Sequence, residues 1–349
     1  MECCCPRDEG NDMKLLRGLL IAVVVLLGLL ALALSWLRTQ APGLEAYQAH
    51  RYEAAPRPGA LTATWYGVSA LLLCDGEHAI LIDPFFTRPE GLLPLVLNRA
   101  IEPDEPRIAA ALLAARIDKL DAVLVSHSHY DHAMDAGVVA KLTGAMLLGS
   151  ASTANIGRGA GLPDGRIRRV EPGEPITVGR FRIRFIASRH AGASGGRPTG
   201  DITAPLRTPA HYLDYKLGGT YSILVEHPQG SVLHHGSAGW EPGALAGLHA
   251  DLVFLGVALV DDLPAYLRET VDLVGARRIV PVHWDDFTLP LDQPLRPFPL
   301  VVRLDRFFSG MAQRPEIQVQ TLELGREATL FPASVPSGAP ASAGGAEMR

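Results

Sequence analysis

The tightest constraint in the chain is a dozen residues, LVSHSHYDHAMD at positions 124–135, in which three histidines and two aspartates follow directly on the apolar run DAVLV. A continuous apolar run of this kind reads as a strand buried on both faces, so the polar groups that end it lie at a sheet edge. His127 and His129 are two residues apart on extended chain and point to one side. Asp131 and His132 follow where the helical spacing of AMDAGVVAKL begins, and approach the same cavity from a second direction. Imidazoles plus a carboxylate suit Zn²⁺ or a similar first-row ion, with ligands enough to start two adjacent sites.

Short β-type runs precede this cluster: ATWYG, ALLLC and AILID, the last two joined by DGEH, whose Asp75-Gly76 pair suits a tight hairpin turn. EPRIAAALLAARI and LPAYLRETVDLVGA have helical spacing. AMLLG, RIRRV, FRIRFIAS, YSILVE, SVLHH, LVFLG and RIVPVH read as strands. The pattern predicts one mixed α and β domain over 60–332, two sheets packed together with helices outside.

The first forty residues depart from this globular pattern. Residues 18–37, GLLIAVVVLLGLLALALSWL, carry no charge and are long enough to cross a hydrocarbon core of roughly 30 Å. The expected organisation is a cytoplasmic segment at 1–14, a transmembrane anchor at 15–37, a linker rich in Ala and Pro at 38–59, the domain, and a disordered tail rich in Pro, Gly, Ser and Ala at 333–349. Lys14 and Arg17 before the run, against Arg38 after it, place the N-terminus in the cytoplasm and the domain outside it, periplasmic in a Gram-negative cell. The run outlasts a usual signal-peptide core and reads as a retained anchor, with ALA at 31–33 as the competing cleavage site. MKLLRGLL from Met13 is a natural start for such a segment; a start at Met1 instead sets Cys3, Cys4 and Cys5 beside the membrane as acylation candidates. Beyond the anchor only Cys74 remains, which excludes an internal disulfide and a cysteine-held zinc. A net charge of −5 with no Lys/Arg block argues against a nucleic-acid partner, and nothing fixes the oligomeric state.

Taken with its surroundings, the H-x-H-x-D-H of His127, His129, Asp131 and His132 resembles the signature of the metallo-β-lactamase fold superfamily, over roughly residues 61–298. That resemblance implies an α+β fold, an αββα sandwich with metals at one sheet edge. TWYGVSALLL and ILIDPFF are similar to the family's opening strands and give Asp83 as the acid supporting the metal loop. IASRHAG gives His190 and VPVHWDDF gives His283 as the later ligands. By this resemblance one site comprises His127, His129 and His190, the other Asp131, His132 and His283. It implies one or two Zn²⁺ ions, or another first-row divalent metal, with Asp131 orienting a zinc-bound water or taking its proton. SHSHYDH and HWDDF are most similar to the branch containing N-acylphosphatidylethanolamine phospholipase D and ascorbate-phosphate lactonase, which implies a phosphodiester or lactone, in a small-molecule or lipid substrate.

One departure from the pattern stands out. The family's metal-bridging aspartate falls in SVLHHGSAGW, where Ser237 occupies its position, with His234 and His235 just upstream as replacement ligands. Its loss leaves a second expectation, a catalytically degenerate, membrane-tethered binding protein. Separately, GASGG formally fits a nucleophile elbow at Ser194, but RPTGDITAPLRTPAHYLDY after it has Pro and Gly where the helix should begin, and reads as a flexible loop over the site. His50, His78, His211, His227 and His249 read as solvated.

Overall fold

Leu71 and Leu73 face one apolar cluster and Leu72 another, and the same alternation runs through Ile80, Leu81 and Ile82 and through Ala122, Val123 and Leu124. Strands that are apolar on both sides need a layer on each. In the computed structural model, which describes residues 9–40, 43–192 and 198–331, they have both. The first set shares its core with Ile183, Phe185, Val225 and Val232 of a second sheet, the other with Ile108, Leu112 and Val139 of helices. Each large side chain so buried contributes about 1.5–3 kcal/mol.

Both sheets have seven strands. The first runs in the order Ala328–Thr329, Thr62–Trp65, Leu71–Cys74, Ala79–Ile82, Ala122–Leu124, Met146–Gly149, Ile167–Arg169, antiparallel over its first four strands and parallel thereafter. The second runs Gln318–Val319, Arg278–Val282, Leu252–Gly256, Gly230–His235, Tyr221–His227, Phe181–Ala187, Pro175–Val178, parallel over its first four and antiparallel thereafter. A ribbon of Ala100–Ile101 and Ala210–His211 stands apart. The sandwich expected from the sequence is present, and its parallel halves aim strand ends toward one edge, the usual ligand position in such sheets.

Local chemistry explains the turns. Asp75 Oδ1 accepts the N–H groups of Glu77 (3.0 Å) and His78 (2.8 Å), and Gly76 takes the φ of +89° that closes the hairpin. Helix Glu105–Ala114 starts at Asp104, whose carboxylate accepts the Arg107 N–H at 2.9 Å. LPAYLRETVDLVGA is shorter than its pattern: helix Leu263–Leu267 widens into a π turn over Arg268–Asp272. Two helices were not read from the sequence: Ala151–Gly159, capped by Ser150 and built largely of small residues, and Leu304–Met311, although its buried Leu304, Phe307, Phe308 and Met311 recur at i, i+3, i+4 and i+7.

Helix Glu9–Gln40 overruns the expected anchor at both ends. Its stretch Met13–Leu37, 25 residues, is long and apolar enough to cross a membrane. The described part of the expected linker lies against the domain: Tyr47 stacks on Phe308 at 3.8 Å, and Tyr52 donates from its N–H to Thr321 O and from its hydroxyl to Thr329 O. The sequence showed no periodicity there because a short 3₁₀ turn, Leu44–His50, does the packing. Cys3 to Cys5, Ser194 and the tail lie outside the described residues. The loop after Ser194 is pinned from Pro198 onward, with Ile202 N–H on Ser152 Oγ, Leu206 N–H on Asn155 O and Leu217 N–H on Pro198 O. His227, expected in solvent, is buried and bonded to Asp75 Oδ2 at 3.1 Å, the same aspartate that shapes the hairpin.

Candidate metal centre

Chain folding brings the six expected ligands to one sheet edge in two groups. His127, His129 and His190 offer ligand atoms within 4.8 Å of one another, as do Asp131, His132 and His283. The groups adjoin, with ring centroids of His127 and His132 only 3.9 Å apart. Strand Ala122–Leu124 delivers His127 and His129; the single turn Tyr130–Ala133 delivers Asp131 and His132. His190 follows strand Phe181–Ala187 and His283 follows strand Arg278–Val282.

Each imidazole is oriented by a second contact. His132 Nδ1 donates to Asp83 Oδ2 at 2.8 Å, and Asp83 also accepts Ser126 N–H (2.7 Å) and Ser126 Oγ (2.6 Å). Ser126 Oγ lies 3.2 Å from His127 Nδ1. His129 Nε2 contacts Pro198 O at 3.2 Å, and His190 Nδ1 contacts Ala191 O at 2.7 Å. His283 is held by its backbone, N–H to Val68 O at 2.7 Å, and its Nε2 lies 3.3 Å from Asp131 Oδ2. Carboxylate or carbonyl contacts of this kind fix imidazole tautomer and ring angle in metal sites.

The loop that receives His283 is strained and clasped. Val68, a β-branched residue, has φ +47°, Asp83 +47° and His283 +56°. Val68 N–H donates to Asp285 Oδ1 at 2.8 Å, and Val68 O also accepts Trp65 Nε1 at 3.0 Å. Asp285 is ion-paired with Arg88, both fully buried. Such closure keeps three uncommon backbone conformations from relaxing.

The donor set fits a divalent cation. His127 Nε2 and His132 Nε2, on rings that adjoin across the two groups, are buried without hydrogen-bond partners, each an uncompensated loss of about 1–3 kcal/mol unless something is bound there. Burial, reinforced by His132, His190, His129 and His283, pushes the His127 pKa well down, so it is neutral, as a ligand must be. Burial alone would lower His132, but the Asp131 and Asp83 carboxylates overcome it and raise its pKa; the pocket there favours positive charge, from a proton or a metal. Burial would raise Asp131, but His132 and His283 outweigh it and hold the carboxyl ionised, far below its usual range.

Ser237, His234 and His235 do not join either group. His234 and His235 alternate across their strand. His234 faces the space between the sheets, with Nε2 2.8 Å from Ser69 O. His235 faces the outer layer, with Nδ1 2.7 Å from Ser222 Oγ and its ring beside Tyr266. Gly236 lets the strand end run close behind the site, since a β-carbon there would lie 2.9 Å from His234 Cε1 and 3.2 Å from Asp83 Oδ2. Ser237 Oγ accepts the Ala191 N–H at 3.1 Å and so tethers the His190 loop.

A cavity of about 320 Å³ opens over the two groups, touching His129, Asp131, His190, His283 and Ser237, with walls that include Tyr130, Tyr212, Phe287, Phe298 and Val301. Sequence reasoning missed these walls: Tyr130 and Phe287 sit inside SHSHYDH and HWDDF but gained no role there, and Tyr212, Phe298 and Val301 come from other parts of the chain. It also missed Ser126 and Asp285, although both sit inside the motifs SHSHYDH and HWDDF that it used.

Comparison with known proteins bears on the family and the fold. A UPF0173 metal-dependent hydrolase from Myxococcus xanthus is 27% identical over 260 residues, 72% of this chain and 79% of that protein. In fold, a metallo hydrolase from the archaeon Ignicoccus hospitalis matches with a TM-score of 0.51 at 18% identity, covering 78% of this chain and 98% of that one. An isothiocyanate hydrolase from Delia radicum gut bacteria matches with a TM-score of 0.51 at 17% identity, covering 77% and 99%. The sequence profile of the Metallo-beta-lactamase superfamily matches residues 63–243, the segment that carries five of the six ligands, and the chain belongs to that superfamily.

Proposed function

We propose that this chain is a membrane-anchored, metal-dependent hydrolase, with zinc the favoured cation, that cleaves an ester-type bond in a phosphodiester or a lactone. The observation that carries the reading is the pair of adjoining ligand groups under an apolar cavity. Relatives named as metal-dependent hydrolases support the reaction class. Helix Met13–Leu37 supports the anchor, and the charge bias around it supports an extracytoplasmic domain.

A divalent cation held by His127, His129 and His190 or by Asp131, His132 and His283 would supply Lewis acidity toward a substrate oxygen and toward water. The chain's own groups do the rest. Asp131, buried and held ionised far below the usual carboxylate range, orients the attacking water by accepting a hydrogen bond from it, and is too weak a base to keep its proton. Asp83 and Ser126 keep His132 in one tautomer and so keep its ring fixed. Tyr130, Tyr212, Phe287 and Phe298 take the hydrocarbon part of a substrate and exclude water.

A catalytically silent binding protein is the second reading, favoured by Ser237, which is engaged with Ala191 and brings no charge to the site. Elemental analysis of the purified chain, with chelator-sensitive hydrolysis of phosphodiester and lactone panels, separates the two. The enzyme reading expects metal and turnover that His127→Ala removes and Ser194→Ala leaves intact. Full metal loading without hydrolysis in either panel refutes it.

A further inference from the structure

Outside the N-terminal helix, seven large apolar side chains among the described residues are open to solvent, and five of them, Leu93, Val96, Leu97, Leu213 and Leu300, are 50–76% exposed and belong to the segments that form the cavity mouth. Leu93, Val96 and Leu97 are on or next to the short helix Leu92–Val96, whose Leu95 lines the cavity. Leu213 lines it too and is tied to that helix's end by its N–H on Asn98 Oδ1 at 2.9 Å. Leu300 adjoins Val301, which also lines the cavity. Single exposed leucines are ordinary, but four leucines and a valine on segments around one opening call for a partner.

The chain itself indicates what covers the patch. Only five residues separate Leu37, the last of the apolar stretch, from Gly43, so the two are at most roughly 20 Å apart. Gly43 enters the domain against Leu295, where a β-carbon would lie 2.9 Å from the Leu295 carbonyl. Leu295 begins the segment that continues through Phe298 to Leu300 and Val301, so the tether joins the domain on the element that forms one side of the mouth. A bilayer holding the helix therefore lies within reach of the rim.

We propose that Leu93, Val96, Leu97, Leu213 and Leu300 dock on the surface of the bilayer that holds helix Met13–Leu37, so that a lipid-soluble substrate enters the cavity from the membrane without crossing water. The proposal rests on the membrane-anchored reading of that helix and adds a second contact, independent of metal and turnover.

The test uses the full chain in phosphatidylcholine vesicles with brominated acyl chains, with Cys3, Cys4, Cys5 and Cys74 replaced by Ser. A bimane label is placed by Leu97→Cys, Leu300→Cys or, as control, Leu113→Cys, an exposed leucine on helix Glu105–Ala114 that contributes nothing to the cavity wall. An apolar face seated roughly 5–10 Å below the headgroups should lose about half its emission at positions 97 and 300 to the bromines, with position 113 unchanged. If the protein floats with vesicles and all three labels behave alike, docking is refuted while the anchor stands. If it does not float, anchor and docking both fall. If the rim labels escape the bromines but become shielded from aqueous iodide as protein concentration rises, a second copy covers the rim and the bilayer proposal is overturned.

Discussion

Asp83→Asn isolates the contact that sets the His132 tautomer. The carboxylate accepts three hydrogen bonds, Ser126 N–H on Oδ1 and both Ser126 Oγ and His132 Nδ1 on Oδ2. An amide has one acceptor oxygen. Placed against Ser126 N–H, it turns its NH₂ toward His132 Nδ1, which must then accept, moving the imidazole proton to Nε2 and covering the lone pair a metal needs. Turned the other way, it leaves two buried N–H donors opposed, at a cost of about 1–3 kcal/mol. Asparagine tolerates the φ of +47° at least as well as aspartate, so the backbone is not disturbed. The expected loss at the Asp131, His132 and His283 group is about 10–100-fold in metal affinity, or roughly 1.4–2.7 kcal/mol. Competition of a chromophoric chelator for Zn²⁺ reads it, with circular dichroism confirming an unchanged fold. Unaltered affinity at both groups in a folded variant would mean that Asp83 does not govern His132, and the orientation argument fails.

Three further outcomes are expected. Arg88→Met strands the buried Asp285 carboxylate and loosens the clasp on Val68 and His283, costing about 3–5 kcal/mol and visible as a lower urea midpoint. Burial pushes the His235 pKa down to about 4 from 6.5, so the unfolded chain takes up a proton that the folded one refuses. Stability contributed above pH 6.5 is lost as pH falls toward 4, by about 3 kcal/mol, and His235→Phe removes that part of the slope in pH-dependent urea unfolding. Ser237→Asp keeps an acceptor for the Ala191 N–H and adds a carboxylate over the site; zinc titration should show the weaker binding step tightened by tenfold or more, about 1.4 kcal/mol.

The ligand cluster was legible because metal chemistry concentrates rare residue types at the end of a strand whose apolar run is itself legible. His127, His129, Asp131 and His132 are local in sequence, so spacing alone placed them together. His190 and His283 lie far along the chain from that cluster, each at the end of a different strand, and family resemblance was needed to bring them in. ALLLC and AILID were legible as β-type runs, but a run apolar on both faces does not say which side chain meets which layer, and that assignment came from the structure. Residues that act through three-dimensional closure stayed hidden: Arg88 reads as an ordinary surface cation until its partner, 197 residues away, is seen beside it. His227 was misplaced for the same reason, since Asp75 is 152 residues from it. Two cavity walls, Tyr130 and Phe287, sat inside legible motifs without a role until the folded cavity gave them one, and a 3₁₀ turn such as Leu44–His50 leaves no periodic trace.

Charge decides how the two groups share cations. Five neutral imidazoles and the Asp131 carboxylate bring one negative charge to a site that would carry four positive charges with both groups filled. Asp83 adds a second negative charge, but from behind His132 rather than against the ions. In a water-excluding cavity such an excess is costly, and a bridging carboxylate at position 237 would reduce it directly. Serine does not, so with both groups filled the second cation would bind against the repulsion of the first. An anionic substrate changes that balance, because a phosphodiester oxygen brings into the cavity the negative charge that Ser237 leaves out. A neutral lactone brings none. On the proposed phosphodiester reading, the serine would transfer part of the centre's charge balance to the substrate and couple occupancy of the second group to the arrival of an anion.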